Sequence, residues 1–153
     1  MTLRVADLFV YPIKSCGGIA VESAEVDAFG FRNDRRWMVV DETGRFLTQR
    51  TVPLLATIRV GVSDGGLSLR AEGWGSIAVE AFPETAAAER VTVWRDTVDA
   101  LPSGEEADAW LTSVLGRPAR LVWMPNSTVR PPKRDPAGVS PRISFADAYS
   151  FLV

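Results

Sequence analysis

Residues 58–70 read IRVGVSDGGLSLR, and this stretch decides the expected fold. Apolar residues occupy every second position on both sides of the central Ser-Asp-Gly-Gly turn. They are Ile58, Val60, Val62, Leu67 and Leu69. A period of two places successive side chains on opposite faces of a β-strand, and a Gly-rich turn between two such runs is typical of a β-hairpin. The stretch therefore predicts two antiparallel strands with one buried face.

Further short apolar runs lie on both sides of this hairpin. The run Trp37–Val40 is continuously apolar, which predicts a strand buried on both faces. The others are Leu8–Tyr11, Ile77 with Val79, Val91 with Val93, and Leu121 with Trp123. Many short strands joined by Gly-rich turns predict an all-β barrel or sandwich.

One segment has helical spacing instead. Its apolar residues are Ala107, Trp110, Leu111, Val114 and Leu115. They form one stripe of a helix over about residues 105–115, with Ser103 and Glu106 spaced as a capping box and Gly116 as the stop signal. The predicted fold is therefore mostly β, an antiparallel β-barrel with one amphipathic α-helix that serves packing.

Composition excludes several classes of function. The chain has 153 residues, a net charge of -2, one cysteine (Cys16) and no histidine. Without histidine, Ser-His and Cys-His catalytic pairs and the usual zinc sites cannot form. The charge gives no general attraction to nucleic acid or membranes. No apolar run approaches the about 20 residues that a membrane span needs, so a cytoplasmic protein is expected.

The first candidate cluster is YPIKSCGG at residues 11–18. Lys14 and Ser15 at a Gly-rich turn can offer an ammonium, a hydroxyl and backbone N–H groups to a phosphate. The alternative is a hairpin turn with a solvated lysine. Cys16 has no histidine base in the chain, which favours a small buried side chain over a catalytic thiolate.

Two further clusters contain charged side chains. Arg35 and Arg36 stand directly before the strand that begins at Trp37. Side chains alternate along a strand, so the two arginines are expected to point to opposite sides, and at most one of them faces the mouth or interior of the barrel. The inner one needs a bound anion or a carboxylate partner, which Asp34 could supply. Asp147 could accept N–H groups of a ligand, or those of its own turn.

The C-terminal part of the sequence differs in composition. Five prolines and several basic residues between Pro125 and Arg142 predict a surface loop, which could serve as a contact site. Residues 143–153 look like the start of a new strand, and the chain ends on apolar residues. We therefore expect a barrel domain over 1–142, with 143–153 beginning a second domain that continues past Val153. Dimerisation of the fragment could cover this apolar end.

Taken in order, five stretches resemble one family, the MOSC N-terminal β-barrel domain. They are YPIKSCGG (11–18), GFRNDRRWMVVD (30–41), FLTQRTVPLLA (46–56), WRDTVDALPSGEEADAWLTSVLGRPARLV (94–122) and RISFADAYSFLV (142–153). In that family the barrel precedes a MOSC domain, named for the C-terminal domain of molybdenum cofactor sulfurase. Members such as the mitochondrial amidoxime-reducing component bind molybdopterin and reduce N-hydroxylated compounds.

The resemblance implies six cofactor-binding residues, matched to the family's Lys-Ser pair, to the arginine of its D-R-F/R-W pattern and to a later turn. They are Lys14, Ser15, Arg35, Asp147, Ala148 and Tyr149. Since Arg35 is the matched arginine, Arg36 is expected to face the other way, outward. The family's metal-holding cysteine lies in the downstream domain, and Cys16 does not match it. No catalytic residue or metal ligand is therefore assigned to this chain.

The resemblance thus implies the N-terminal, cofactor-binding barrel of a molybdenum-cofactor oxidoreductase. As a fragment it would have little or no turnover, and the molybdenum cofactor (molybdopterin) is expected to be absent from it. The implied partners are a downstream MOSC domain and an electron-donor protein. An alternative from another class is a stand-alone β-barrel module that binds an anion, another ligand or a protein without redox chemistry.

Overall fold

A computed structural model describes residues 2, 4–80, 86–133 and 142–151. The strands are β1 (Leu8–Val10), β2 (Ile19–Val21), β3 (Val26–Asp27), β4 (Gly30–Phe31), β5 (Trp37–Val40), β6 (Arg59–Ser63), β7 (Gly66–Ala71), β8 (Gly75–Glu80), β9 (Glu89–Val93), β10 (Asp96–Pro102) and β11 (Arg120–Trp123). A 3₁₀ helix covers Pro53–Thr57 and one α-helix, α1, covers Glu105–Leu115.

The strands form antiparallel sheets that curl into a half-barrel. The largest sheet has the order β5-β11-β10-β9, and β6, β7 and β8 form a second sheet as a meander. Two hairpins, β1-β2 and β3-β4, complete the strand pairs. The predicted hairpin is confirmed, with Val60 opposite Leu69 and Val62 opposite Leu67. The mostly β architecture with one helix is confirmed as well.

Strand β5 connects the two hydrophobic clusters of the protein because both of its faces are buried. Trp37 and Val39 pack in a first hydrophobic cluster with the β6–β8 sheet and α1. Met38 and Val40 pack in a second cluster, with β9 and β10. The continuous apolar run in the sequence thus reflects two cores that share one strand, and it anchors the segment directly before it, where Arg35 lies.

The helix α1 covers the first cluster with the side chains of Ala107, Leu111, Val114 and Leu115. It ends at Gly116, whose φ of 64° is left-handed, as the sequence predicts. The capping box was wrong: Gly104 is the N-cap and no side chain caps the helix. The reason is that Ser103 belongs to the end of the sheet, where its N–H donates to Leu121 O.

The described part of the Pro-rich segment, 125–133, is not simply a surface loop, because Arg130 is fully buried. Residues 143–146 are buried too, and Phe145 packs in the second cluster. The structure assigns no strand within residues 142–151, which lie against the barrel through the N–H groups of Ile143 and Phe145. The predicted strand is therefore wrong within these residues, and Arg134 and Pro136 lie outside the described ones.

No helix among the described residues is long and apolar enough to cross a membrane.

Candidate functional site

A pocket of about 540 Å³ lies where several parts of the chain meet, among them the turn after β1, the segment before β5 and residues 147–151. All six residues predicted from the sequence line it: Lys14, Ser15, Arg35, Asp147, Ala148 and Tyr149. A volume of this size is in the usual range for pockets that bind small molecules and cofactors.

The turn that carries Lys14 is held from both sides. Lys14 N–H donates to Trp37 O, and Gly17 N–H donates to Ile58 O. A Cβ at Gly17 would lie 2.9 Å from Ile58 O, so this glycine is required for close approach. The unusual backbone angle falls on Ser15 instead, with a φ of 70°. The turn is therefore rigidly placed against the core, and Lys14 is buried with 5% exposure, not solvated.

The Lys14 ammonium is paired with the Asp147 carboxylate. The Trp94 indole N–H donates to the same Asp147 oxygen over 3.1 Å. Burial lowers the pKa of Lys14, an effect that the bond to Asp147 partly offsets. Partial burial raises the pKa of Asp147, but the hydrogen bonds from Lys14 and Trp94 reverse this and hold it below its usual value. Asp147 is therefore expected to be ionised near neutral pH, as the partner of the Lys14 ammonium.

Arg35 enters the pocket from a left-handed residue, with a φ of 48°, directly before β5. Its Nε lies 2.8 Å from Asp34 Oδ2, and its Nη2 donates to Ser150 O over 3.0 Å. Asp34 Oδ1 accepts the N–H of Tyr11. Burial raises the pKa of Asp34, although Arg35 and this N–H act in the opposite direction. Asp34 is thus the carboxylate partner of Arg35, as the sequence allowed.

Arg36 diverges from Arg35 but does not point outward, so that prediction was wrong. It is buried with 6% exposure. Its guanidinium stacks 4.0 Å from the Phe29 ring centroid and donates to Met124 O and Asn126 Oδ1. The two acceptors and the aromatic ring compensate the buried charge of Arg36 at a place outside the pocket. Arg36 therefore has a packing role.

Two polar atoms at the pocket wall have no hydrogen-bond partner within the described part of the chain. They are Arg35 Nε, which contacts Asp34 without hydrogen-bond geometry, and Ser150 Oγ. Buried donors without acceptors are unusual in folded proteins. Both atoms are buried, and Arg35 Nε already lies in the ion pair with Asp34, so the two atoms belong to the wall that supports the pocket.

Several further residues that line the pocket were not predicted from the sequence. Polar and cationic ones are Thr48, Gln49 and Arg50, while Phe9, Tyr11, Phe31, Trp94 and Phe151 are aromatic. The Trp94 ring centroid lies 5.7 Å from Lys14 Nζ and 5.9 Å from Arg50 Cζ. Trp94 also has a φ of 55°, which is rare for a bulky residue. The polar residues of the stretch FLTQR could have pointed to Thr48, Gln49 and Arg50. No local sequence pattern points to Trp94.

Cys16 also lines the pocket, but burial raises the pKa of its thiol to about 12. This agrees with the expectation of a small buried side chain. Within the described residues, no group of three or more Asp, Glu or Cys side chains could hold a metal ion. Lys14, Arg35 and Arg50 bring three cationic side chains to this pocket, and Ser15 adds a hydroxyl.

Residues 2–118 match the model of the MOSC N-terminal beta barrel domain. The chain belongs to this family. The MOSC N-terminal barrel is also similar to mitochondrial amidoxime-reducing component 1 of Homo sapiens, with 32% identity over 97% of this chain and 47% of the relative. Molybdenum cofactor sulfurase of Danio rerio is 35% identical over 77% of this chain and 15% of its own length. The chain thus spans less than half the length of these relatives.

Among solved structures, the barrel resembles the solution structure of a Bordetella bronchiseptica protein. The TM-score is 0.54 at 24% identity, covering 69% of this chain and 90% of the other. At this identity the likeness supports the fold alone.

Proposed function

We propose that this MOSC N-terminal barrel binds the phosphate end of the molybdenum cofactor within a longer cytoplasmic oxidoreductase that reduces N-hydroxylated compounds. The observation that carries the proposal is that Lys14 and Arg35, from distant parts of the chain, line one pocket together with Ser15 and Arg50. Two relatives, an amidoxime-reducing component and a molybdenum cofactor sulfurase, support the choice of ligand and reaction class.

The donor set fits a phosphate that carries a pterin. A lysine and an arginine can together neutralise a phosphate dianion, and the guanidinium can donate to two oxygens at once. The hydroxyls of Ser15 and Ser150 and the side chain of Arg50 add further donors. The pterin's N–H groups need acceptors, and the exposed part of the Asp147 carboxylate can provide one.

Binding of the dianion would rearrange the two ion pairs already in the pocket. Lys14 is held by Asp147, and Arg35 is held by Asp34. The phosphate would therefore compete with both carboxylates for their cations. Pterin N–H groups at Asp147 would compensate that carboxylate as Lys14 turns to the phosphate, which favours a ligand with both parts over phosphate alone.

When bound, the cofactor supplies the two-electron redox chemistry, and the protein supplies position and electrostatics. We assign this chain the anchoring of the cofactor, with no catalytic residue and no metal ligand. A MOSC domain that follows the barrel would hold the metal, and an electron-donor protein would deliver electrons. The barrel by itself is then expected to have little or no turnover.

The test is the molybdopterin content of the protein expressed to the end of its gene in a cofactor-producing host. Lys14→Ala/Arg35→Ala should lose most of the bound pterin, measured by fluorescence after oxidation and release. Arg59→Ala/Arg70→Ala is the matched control, since it removes two cations that lie opposite each other in the β6-β7 hairpin, outside the pocket. Unchanged pterin content in the Lys14/Arg35 variant would refute the assignment.

The second candidate is a stand-alone module that binds an anionic ligand without redox chemistry. It is favoured by one observation, that Lys14, Arg35 and Arg50 lie beside several aromatic side chains in the pocket. Calorimetric titration of the chain with pyrophosphate separates the two functions. Tight binding of pyrophosphate, with no pterin in the expressed protein and a stop codon after Val153, would favour the module.

A further inference from the structure

Arg130 is a fully buried arginine next to the pocket, and it does not line the pocket itself. Its Nη1 donates to Ser144 O over 2.8 Å and to Ala146 O over 2.6 Å. Its Nε donates to Asp96 Oδ2 over 2.7 Å. A charged group with no exposure is costly to bury, so these bonds must compensate the lost hydration.

These contacts join two parts of the chain that meet at the pocket. Ala146 directly precedes Asp147 and Ser144 lies three residues before it, so Arg130 holds the backbone that leads into Asp147. Asp96 begins β10, next to the turn that carries Trp94. Trp94 and Asp147 are themselves hydrogen-bonded. The Arg130 guanidinium therefore links the segment of Asp147 to the segment of Trp94 in the interior of the protein. The hydrogen bond between Trp94 and Asp147 links the same two segments at the pocket.

We propose that Arg130 is a positioning residue that holds the Asp147 carboxylate against Lys14 and Trp94. A planar guanidinium with several fixed donors can hold two carbonyls and a carboxylate in one arrangement, whereas an ammonium is a compact charge on a flexible stem. Arg130 thus controls how firmly Lys14 is engaged in the unliganded pocket. The inference adds Arg130 to the same site. Its structural part is independent of the cofactor, and only its importance for cofactor binding rests on the proposed function.

Lys14 itself reports on this arrangement. The charged groups that act on it are Asp147, which raises its pKa, and Arg130 and Arg35, which lower it. Loosening Asp147 should therefore lower the pKa of Lys14. Loss of the charge at position 130 by itself would do the opposite. A fall in this pKa after a substitution at position 130 can thus be attributed to Asp147.

The chain contains only two lysines, Lys14 and Lys133, so ¹³C-lysine labelling gives two side-chain signals to follow in an NMR pH titration. Asp147→Asn should lower the pKa of Lys14 and sets the full effect. Arg130→Lys, which adds a third signal absent from the wild-type spectrum, should produce at least half of that fall. Combining it with Asp147→Asn should give no fall beyond that of Asp147→Asn alone.

Arg36→Lys is the matched control, because Arg36 is also buried and also donates to a backbone carbonyl but contacts neither Asp147 nor its neighbours. It should leave the pKa of Lys14 unchanged. Asp96→Ala provides a second variant if Arg130→Lys does not fold, and it should shift the pKa of Lys14 in the same direction by a smaller amount.

An unchanged pKa of Lys14 in the folded Arg130→Lys or Asp96→Ala protein would overturn the proposal. So would a further fall when Arg130→Lys is added to Asp147→Asn, because Arg130 would then act by another route. The titration needs no ligand. A negative result would therefore not refute cofactor binding by this pocket. Conversely, if the cofactor proposal were refuted, the titration would still test the role of Arg130.

Discussion

Replacing Arg35 with methionine should destabilise the fold far more than the same replacement at Arg32, in the same segment of the chain. The Arg35 and Asp34 side chains are 12% and 6% exposed. Those of Arg32 and Glu25, which also form an ion pair, are 65% and 75% exposed. The two variants therefore compare the loss of a buried and of an exposed cation.

The magnitude follows from what Arg35→Met leaves behind. Asp34 would keep a buried negative charge, with the Tyr11 N–H as its one remaining hydrogen-bond donor among the described residues. Breaking a buried pair in this way costs about 3–5 kcal/mol. Since the pocket admits water beside Asp34, we expect the lower end, about 3 kcal/mol at neutral pH. Arg32→Met should cause no measurable loss, because its pair is fully solvated.

The assay is urea-induced unfolding, followed by the fluorescence of the tryptophans. Adding Asp34→Asn to Arg35→Met should recover at least half of the lost stability, because the uncompensated charge is removed. Acidification should also reduce the loss, since burial raises the pKa of Asp34 and favours its protonation. A loss below about 1 kcal/mol would refute the reasoning, because the energy would then match that of a surface pair.

Three further predictions concern the pocket and the residues around it. Gly30→Ala should lower the unfolding free energy by about 1–3 kcal/mol, measured by urea titration, because the new Cβ would meet Ser150 Cβ in a left-handed conformation; Gly73→Ala, left-handed but in open space, should cost less. Cys16 should react with a thiol reagent at neutral pH only as fast as the protein unfolds, since its thiol pKa is about 12, and rapid labelling of the native protein would contradict this. The raised pKa of Asp34 means that the native state binds its proton more tightly than the unfolded state. Wild-type stability relative to Asp34→Asn should therefore fall as the pH rises above about 3.8, and a rise in urea titrations across that window would exclude the burial effect.

Much of the fold was predictable because strand and helix periods are local properties of the chain. The hairpin 58–70 and the run Trp37–Val40 have patterns that match the observed strands. The same holds for α1, whose stripe and Gly116 stop signal place it correctly. The N-cap failed because Ser103 is held in the sheet by Leu121, a contact that lies outside the local pattern.

The candidate site was predictable in a different way. The polar clusters around Lys14, Arg35 and Asp147 stood out in the sequence, and the structure brings all three to one pocket. Their partners did not stand out. Trp94 and Arg50 join the pocket through contacts with distant residues, so no spacing in the sequence connects them with Lys14.

The sequence by itself determined the strand and helix pattern and the absence of histidine chemistry, and it supplied the candidate residues of the pocket. Only the tertiary structure decided which cations are buried and what compensates them. Arg36 and Arg130 look like surface residues in a polar segment, yet both are inside the molecule. The reason is physical: apolar periodicity follows from one element's own geometry, whereas the energy of a buried charge depends on partners that folding brings from elsewhere in the chain.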